Sequence, residues 1–102
     1  MILIKILDCT FRDGGYYNLW DFDSSLVRRY LHAVTCANIN TIELGFRNFP
    51  QDKFLGAFAY TTDAYVDSLD IDKNISVGVM INASKIFNSS FSIDDAINIL
   101  FQ

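Results

Sequence analysis

Basic residues are few in this sequence of 102 residues, and they are scattered along it. Eight Lys and Arg residues stand against twelve Asp and Glu residues, so the formal net charge is −4 at pH 7. A nucleic-acid-binding domain needs a patch or stripe of basic side chains to neutralise phosphates. The sequence offers no such patch, and nucleic acid is therefore not an expected partner.

Long apolar runs and cysteine clusters are also missing. No stretch reaches the roughly 20 apolar residues of a membrane-spanning helix. The first residues, MILIKILD, lack the basic start and the small-residue cleavage site of a signal peptide. Cys9 and Cys36 are too far apart in sequence for a metal-binding pair and are typical of buried, reduced cysteines. We therefore expect a cytoplasmic protein with no membrane association.

What the sequence does contain is apolar and aromatic surface. Hydrophobic residues make up 51% of the chain, with nine Phe, five Tyr and one Trp, which is ample for one small core. Three apolar runs, residues 2–7, 41–46 and 75–81, have the pattern of strands in a parallel sheet, the first of them buried on both faces. They alternate with three helical patterns, which predicts an α/β fold built from right-handed βα units.

The helical patterns have recognisable ends. Asp23 or Ser24 can cap the first helix, and Asn38 suits its left-handed stop. A short second helix is predicted over residues 64–69. A third begins near Ser92 and continues to the end of the sequence without a terminator, which suggests a segment of something longer. The first helix has an apolar stripe of Leu26, Val27, Tyr30, Leu31 and Val34.

Glu43 is predicted to point away from the covering helices, because side chains alternate along a strand. A carboxylate on the inner face of a sheet is costly unless a cation or a metal compensates it. Glu43 is therefore either half of an ion pair with Arg12 or Arg47, or a residue of a polar barrel mouth, and the two roles are compatible. The alternation places Ile42, Leu44 and Phe46 toward the helices and Thr41, Glu43 and Gly45 on the opposite face.

Charged residues follow the first strand in the stretch LDCTFRDGGYYN. In a loop at the end of a strand, Arg12 and Asp13 can aim a guanidinium and a carboxylate into one pocket. The carboxylate can hold a hard divalent cation, and the guanidinium can bind a substrate carboxylate or an enolate oxygen. Gly14 and Gly15 would allow an unusual backbone path or the close approach of a ligand. Taken alone, RDGG is a weak signal, and a solvated turn is its commoner explanation.

DCTFRDGG after the first strand and IELGFR on the second together resemble the start of the catalytic barrel of the DRE-TIM metallolyases. This superfamily includes hydroxymethylglutaryl-CoA lyase, isopropylmalate synthase and 4-hydroxy-2-oxovalerate aldolase, and the aldolase branch is the most similar. The resemblance implies that residues 1–102 are part of an aldolase-type domain, the first three βα units of a TIM (β/α)8 barrel of roughly 250 residues. It also implies a divalent metal, Mg²⁺ or Mn²⁺, and a small-molecule 2-oxo acid or aldol substrate cleaved or formed through a pyruvate-type enolate.

Site residues follow from the resemblance by position. Asp13 would ligate the metal, Arg12 would stabilise the enolate oxygen, and Glu43 would complete the set. Tyr16 stands where the hydroxy-oxovalerate aldolases have His and the synthases have Gln, and its hydroxyl can transfer a proton or hold a substrate oxygen. Arg47 would bind a substrate carboxylate or pair with an acidic neighbour, Asp52.

One departure concerns the metal. The family's site also uses a His-x-His pair from a late strand, whereas the single histidine here, His32, falls on the helix face opposite the apolar stripe. We therefore expect an incomplete metal site and an isolated chain that is inactive.

Two further hypotheses remain open. The chain can be a non-catalytic α/β fragment or interaction module that assembles with another chain, or with itself, through the sheet edge that three βα units leave unpaired. A phosphatase of the haloacid dehalogenase type would start from Asp8, but it needs a second Asp where Thr10 stands. A longer sequence containing His-x-His would favour the aldolase hypothesis over both.

Overall fold

The computed structural model describes residues 4–82 and 93–100, and in them a parallel sheet of three strands alternates with helices. The strand order is β1-β2-β3, with both neighbouring pairs parallel. This confirms the α/β prediction and matches the arrangement of the first three βα units of a TIM barrel. The elements are β1 (Leu7–Asp8), α1 (Thr10–Gly14), α2 (Ser24–Cys36), β2 (Thr41–Phe46), α3 (Asp63–Asp67), β3 (Ser76–Met80) and α4 (Ile93–Leu100), with 3-10 turns at Gly15–Tyr17 and Ala57–Ala59.

The first strand differs from its prediction. Residues 2–7 were expected to be buried on both faces, but the described strand is only Leu7–Asp8, and residues 1–3 lie outside the described part. Ile4, Ile6 and Leu7 are 77%, 49% and 54% exposed. Within the described residues β1 pairs with β2 alone, so it forms an edge of the sheet. A strand is buried on both faces only where other elements cover it, and here the prediction of burial is wrong.

Helix α2 forms as its pattern predicts. The Asp23 carboxylate accepts a hydrogen bond from the backbone N–H of Ser25 at 3.0 Å and so caps the first turn. Asn38 adopts φ 59°, the left-handed conformation that ends a helix. Residues one turn apart form the buried stripe, which consists of Val27, Leu31 and Val34, whereas Leu26 is exposed.

The core lies between α2 and one face of β2. Ile42 and Leu44 of β2 have no exposed surface, and Phe11 and Phe58 pack against the same cluster. The Phe11 ring stacks on that of Tyr30 at a centroid distance of 4.2 Å. Burial of each such side chain contributes about 1.5–3 kcal/mol to stability.

A β-bulge at Leu44 changes which way the end of β2 points. Glu43 lies opposite Gly78 and Gly45 lies opposite Val79, so Leu44 is an extra residue on β2. Up to Leu44 the predicted alternation is correct. Beyond it the faces exchange, because an inserted residue moves every later side chain to the other face.

The two residues after the bulge show the exchange directly. A Cβ on Gly45 would lie 1.9 Å from the carbonyl oxygen of Phe58, on the side where Phe58 joins the core. The ring of Phe46 instead contacts Trp20, at a centroid distance of 5.3 Å, outside the cluster of Ile42 and Leu44. The prediction that Phe46 faces the helices and Gly45 the opposite side is therefore wrong.

The remaining helices match their predicted positions with shifted ends. The side chain of Thr62 accepts from the N–H of Tyr65 at 3.2 Å and starts α3. In α4 the apolar residues Ile93 and Ile97 are exposed, and the predicted Ser92 cap lies outside the described residues. No helix in the described ranges is long and apolar enough to cross a membrane.

The cysteines are less buried than predicted. Cys36 is exposed at the end of α2, and Cys9 is half-buried between β1 and α1. The prediction of two buried cysteines is wrong, because residue type alone does not report which face of a helix a side chain occupies.

Replacing Gly45 by alanine should lower the free energy of unfolding by about 1–3 kcal/mol, because the new methyl group would overlap the Phe58 carbonyl. Gly78→Ala is the matched control on the neighbouring strand. An added Cβ there would meet its nearest atom, Cγ of Glu43, at 3.6 Å, which is ordinary contact. Urea denaturation measures both, and equal losses in the two variants would contradict the assigned bulge.

Candidate functional site

The candidate residues lie at the carboxyl end of the sheet, where β1 leads directly into α1. The sequence predicts a loop there, but residues Thr10–Gly14 form a helical turn. Gly14 and Gly15 have φ values of −64° and −61°, which are ordinary for a right-handed helix, so the predicted unusual backbone path is wrong. A Cβ on Gly15 would lie 1.9 Å from the indole of Trp20. The close approach that this glycine permits is therefore made by the protein's own tryptophan.

Arg12 and Glu43 form the central contact of the site. Nε of Arg12 lies 2.6 Å from Oε2 of Glu43, and both side chains are 22% exposed. Both atoms are shielded from solvent, and the contact is a salt bridge between opposite charges. Gly78, opposite Glu43 on β3, leaves the space beside the carboxylate open. The ion pair between Arg12 and Glu43, which the sequence left as one of two options, is present.

Asp13 completes the cluster on its solvent side. Its Oδ1 lies 3.2 Å from Nη1 of Arg12, and its side chain is 65% exposed. The Cys9 thiol donates to Oδ2 of Asp13 at 3.7 Å. One guanidinium therefore contacts two carboxylates, an inner one from Glu43 and an outer one from Asp13.

The surroundings of Arg12 keep its guanidinium charged. Burial lowers the pKa of Arg12, but the Cys9 side chain and the negative charges of Asp13 and Glu43 outweigh this and raise the pKa above its usual value. Arg12 is consequently a fixed positive charge at every physiological pH.

The described residues supply one candidate metal ligand and not a metal centre. Within ranges 4–82 and 93–100, no three His, Cys, Asp or Glu side chains come close enough together to hold an ion. The exposed carboxylate of Asp13 suits a hard cation, but Mg²⁺ and Mn²⁺ need several oxygen ligands. His32 lies on the exposed side of α2, where its Nε2 is 3.5 Å from Sγ of Cys36. The assignment of a metal to Asp13 stays a prediction.

Tyr16 lies on the rim of a pocket at the same end of the sheet. Its exposed ring packs edge-on against Trp20 at 4.8 Å and against Phe46 at 6.1 Å. The pocket has a volume of about 180 Å³. Its lining consists of Tyr16, Trp20, Phe46, Asn48, Gln51, Lys53, Leu55 and Asn82.

Sequence reasoning missed four polar residues of this pocket, although a signal for them exists. Asn48, Gln51 and Lys53 follow β2 closely, and Asn82 follows β3. Residues just beyond the carboxyl ends of parallel strands are those that converge on the active site in barrels of this type. The position of these residues, rather than any motif, would have identified them.

Arg47 is placed with α3. It is 8% exposed, its Nε donates to the carbonyl of Thr61 at 2.8 Å, and its guanidinium contacts the carboxylate of Asp63. The predicted partner Asp52 is therefore wrong. Because Arg47 follows the bulge, it points to the helix side and connects β2 to the start of α3. Its substrate-binding role stays a prediction, and these contacts give it a structural role.

Asp8 also faces the helices. Its Oδ1 accepts from the Tyr30 hydroxyl at 2.5 Å and from the N–H of Thr10 at 3.1 Å, and its Oδ2 accepts from the Thr10 hydroxyl at 3.0 Å. Burial would raise the pKa of Asp8, but these hydrogen bonds together lower it below its usual value. Asp8 thus joins the end of β1 to α2 and to the start of α1.

A larger pocket, of about 490 Å³, opens between α2 and α3. It is lined by Val27, Leu31 and Tyr65, among others. Since these residues belong to the helix layer, this pocket is separate from the cluster around Glu43.

The chain is similar to one solved structure, the N-terminal domain of a putative aldolase from Bacteroides vulgatus. The two share a TM-score of 0.64 and 40% sequence identity. The match covers 76% of this chain and 25% of that one. The chain therefore spans about a quarter of the protein it matches. No protein-family model and no curated protein matches it.

Tyr30→Phe tests the contact between β1 and α2. The pKa of Asp8 is lowered in the folded state from an ordinary value of 3.8, so its hydrogen bonds stabilise the fold above that pH and stop doing so as the pH falls through the lowered value. We expect a loss of about 1 kcal/mol at neutral pH, because Asp8 is partly exposed, and a smaller loss at a pH well below 3.8, where Asp8 becomes protonated. Urea denaturation at both pH values measures the difference.

Tyr17→Phe is the matched control for Tyr30→Phe, because the Tyr17 ring is 95% exposed. This variant should unfold at the wild-type urea concentration at both pH values. A loss in Tyr30→Phe of equal size at both pH values would show that packing, and not the hydrogen bond to Asp8, is responsible.

Proposed function

We propose that this chain is the N-terminal segment of a divalent-metal-dependent aldolase or lyase that acts on a carbon–carbon bond next to a 2-oxo acid. The observation that carries the proposal is the Arg12–Glu43 contact of 2.6 Å, which joins residues from two successive βα units at the carboxyl end of a parallel sheet. Active sites of TIM barrels lie at that end. The similarity to an aldolase N-terminal domain supports the same assignment.

The finer assignment is to the DRE-TIM metallolyases, in the branch of 4-hydroxy-2-oxovalerate aldolase. It rests on the motifs DCTFRDGG and IELGFR, whose charged residues the fold brings into contact. Arg12, Asp13 and Glu43 occur at the matching positions. This chain has Tyr16 where the aldolases have His and the synthases have Gln. Its acid–base group therefore differs from that of the branch.

The geometry suits Arg12 for stabilising an enolate oxygen. Its guanidinium is permanently charged and is held on one side by Glu43, so it is preorganised for negative charge that develops nearby. Glu43 positions Arg12 and offsets its charge. Tyr16, four residues further along the chain and exposed, would exchange a proton with substrate through its hydroxyl.

Asp13 would supply one oxygen ligand to the metal, and the other ligands would come from outside the described residues. A bound divalent ion would polarise the carbonyl of a 2-oxo acid. Because a single carboxylate does not make a site, we assign no catalytic step to the metal on this chain's residues alone.

The second candidate is a non-catalytic α/β fragment or interaction module that assembles with another chain or with itself. The observation in its favour is the exposed edge of β1, where Ile4, Ile6 and Leu7 carry apolar side chains. An unpaired parallel strand with such residues readily adds a further strand.

Asp13→Asn should abolish pyruvate release from 4-hydroxy-2-oxo acids by the protein that carries this chain, because an amide oxygen is a far poorer ligand for a divalent cation. Calorimetric titration with Mg²⁺ and Mn²⁺ should show the metal affinity lost in the same variant. The chain itself should bind either metal weakly. Activity that survives a chelator, or tight stoichiometric binding by the chain alone, would contradict the site.

Arg12→Lys should reduce kcat by about 10²-fold, with metal binding retained, because an ammonium cannot reproduce the planar fork of the guanidinium. Arg29→Lys, at an exposed position of α2, is the control and should leave turnover unchanged. Loss of metal affinity in Arg12→Lys would show that Arg12 supports the metal ligand and not the enolate.

A further inference from the structure

The pocket beside Tyr16 opens on the same end of the sheet as the Arg12 cluster. Phe46 is the last residue of β2, and Asn82 comes two residues after the end of β3. Tyr16 lies four residues, about one helical turn, after Arg12. The pocket therefore continues the candidate site outward from Arg12.

The lining of this pocket carries one charge, which is positive. It belongs to Lys53, an exposed residue whose ammonium forms no ion pair within the described residues. The walls are the aromatic rings of Tyr16, Trp20 and Phe46. In a chain of net charge −4, a cation without a carboxylate partner beside apolar walls favours an anionic ligand.

The size of the pocket limits that anion. Its volume of about 180 Å³ has room for roughly six heavy atoms, at about 30 Å³ each, the share of a water molecule in the liquid, so it holds the carboxylate end of a longer molecule and not the whole of it. The half-buried amide of Gln51 adds hydrogen-bond donors to the ammonium of Lys53. A short carbon chain that ends in a carboxylate has the matching shape, apolar surface and charge.

We propose that this pocket binds the distal carboxylate of a dicarboxylic aldol substrate, with Lys53 as its cation and the aromatic rings enclosing its carbon chain. The proposal rests on the aldolase function proposed above and adds a preference for an electrophile that carries a carboxylate. It makes Lys53 a residue that determines specificity, separate from the chemistry at Arg12.

Binding can be measured without turnover, because Trp20 is the single tryptophan of the chain and lines the pocket. Its fluorescence is followed while the chain is titrated with glutarate or with pentanoate, a dicarboxylate and a monocarboxylate of equal length. Glutarate should bind saturably and more tightly than pentanoate. Lys53→Met, which keeps an unbranched side chain only one heavy atom shorter and removes its charge, should weaken glutarate binding about threefold to tenfold.

Lys73→Met is the control, since Lys73 is an exposed lysine in the turn before β3, at the opposite end of the sheet. It should bind glutarate as the wild type does. Equal affinity of glutarate and pentanoate, no saturable signal, or an unchanged affinity in Lys53→Met would overturn the assignment of the pocket.

Specificity is tested in the protein that carries this chain, with 4-hydroxy-2-oxoheptanedioate and 4-hydroxy-2-oxoheptanoate. Each is cleaved at the bond between its hydroxyl-bearing carbon and the neighbour on the 2-oxo side. The hydroxyl proton leaves, the bond's electron pair forms the pyruvate enolate, and that enolate takes up a proton. Lys53→Met should raise KM for 4-hydroxy-2-oxoheptanedioate about threefold to tenfold and leave kcat for it unchanged. For 4-hydroxy-2-oxoheptanoate, whose tail is uncharged, both KM and kcat should be unchanged.

The two proposals fail in different ways. If neither substrate releases pyruvate, the aldolase function is wrong, and the fluorescence titration still decides whether the pocket binds carboxylates. If pyruvate is released from both at equal kcat/KM by the wild type, the aldolase function holds and the proposed role of Lys53 is wrong.

Discussion

The extra residue in β2 is the constraint on which the candidate site depends. Before the bulge, Glu43 points to the site while Leu44 enters the core. After it, Phe46 reaches the pocket and Arg47 turns to α3. With regular alternation, Phe46 would instead point into the helix layer and the pocket would lose one of its aromatic walls. The tight contact between Gly45 and the Phe58 carbonyl keeps the bulged strand in place.

The ion pair between Arg12 and Glu43 joins structure and chemistry in one interaction. Two charges that are largely removed from water are tolerated only while opposite charges compensate them. Removal of Arg12 leaves Glu43 without its cation, whereas removal of Glu43 leaves Arg12 with the exposed Asp13 as its remaining carboxylate partner. The same pairing fixes the guanidinium in one position, as stabilisation of a developing oxyanion requires. The observed ion pair of Glu43 is therefore compatible with the catalytic role proposed for it.

Local patterns in the sequence were enough to predict the parallel sheet and α2. The Asp23 cap and the stop at Asn38 depend on neighbouring residues only, so the sequence contains them in full. The approach of Arg12 to Glu43 could also be predicted, because Arg12 comes just after the end of β1 and Glu43 lies on the neighbouring strand, one residue beyond the partner of Asp8.

Features set by distant contacts could not be predicted in this way. No residue near Leu44 in the sequence predicts a bulge, because the register is set by the pairing of β2 with β3. Arg47 pairs with Asp63 and not with the predicted Asp52, because the bulge turns Arg47 toward the start of α3. The sequence suggests that a glycine at position 15 leaves room for a ligand. In the structure that room is taken by the ring of Trp20, which comes close to Gly15 only once the turn has folded.

The three charged residues at the end of β1 and just after it are divided between two places, and this division has an electrostatic consequence. Asp8 is bound to Tyr30 and Thr10 on the helix side, which leaves Arg12 and Asp13 at the site. Arg12 alone beside Asp13 would neutralise that carboxylate and weaken its attraction for a cation. With Glu43 on the other side of Arg12, one positive and two negative charges leave the cluster with a net charge of −1. This remaining negative charge would favour a cation at the exposed Asp13, as the proposed metal role requires, while Arg12 beside it stays charged.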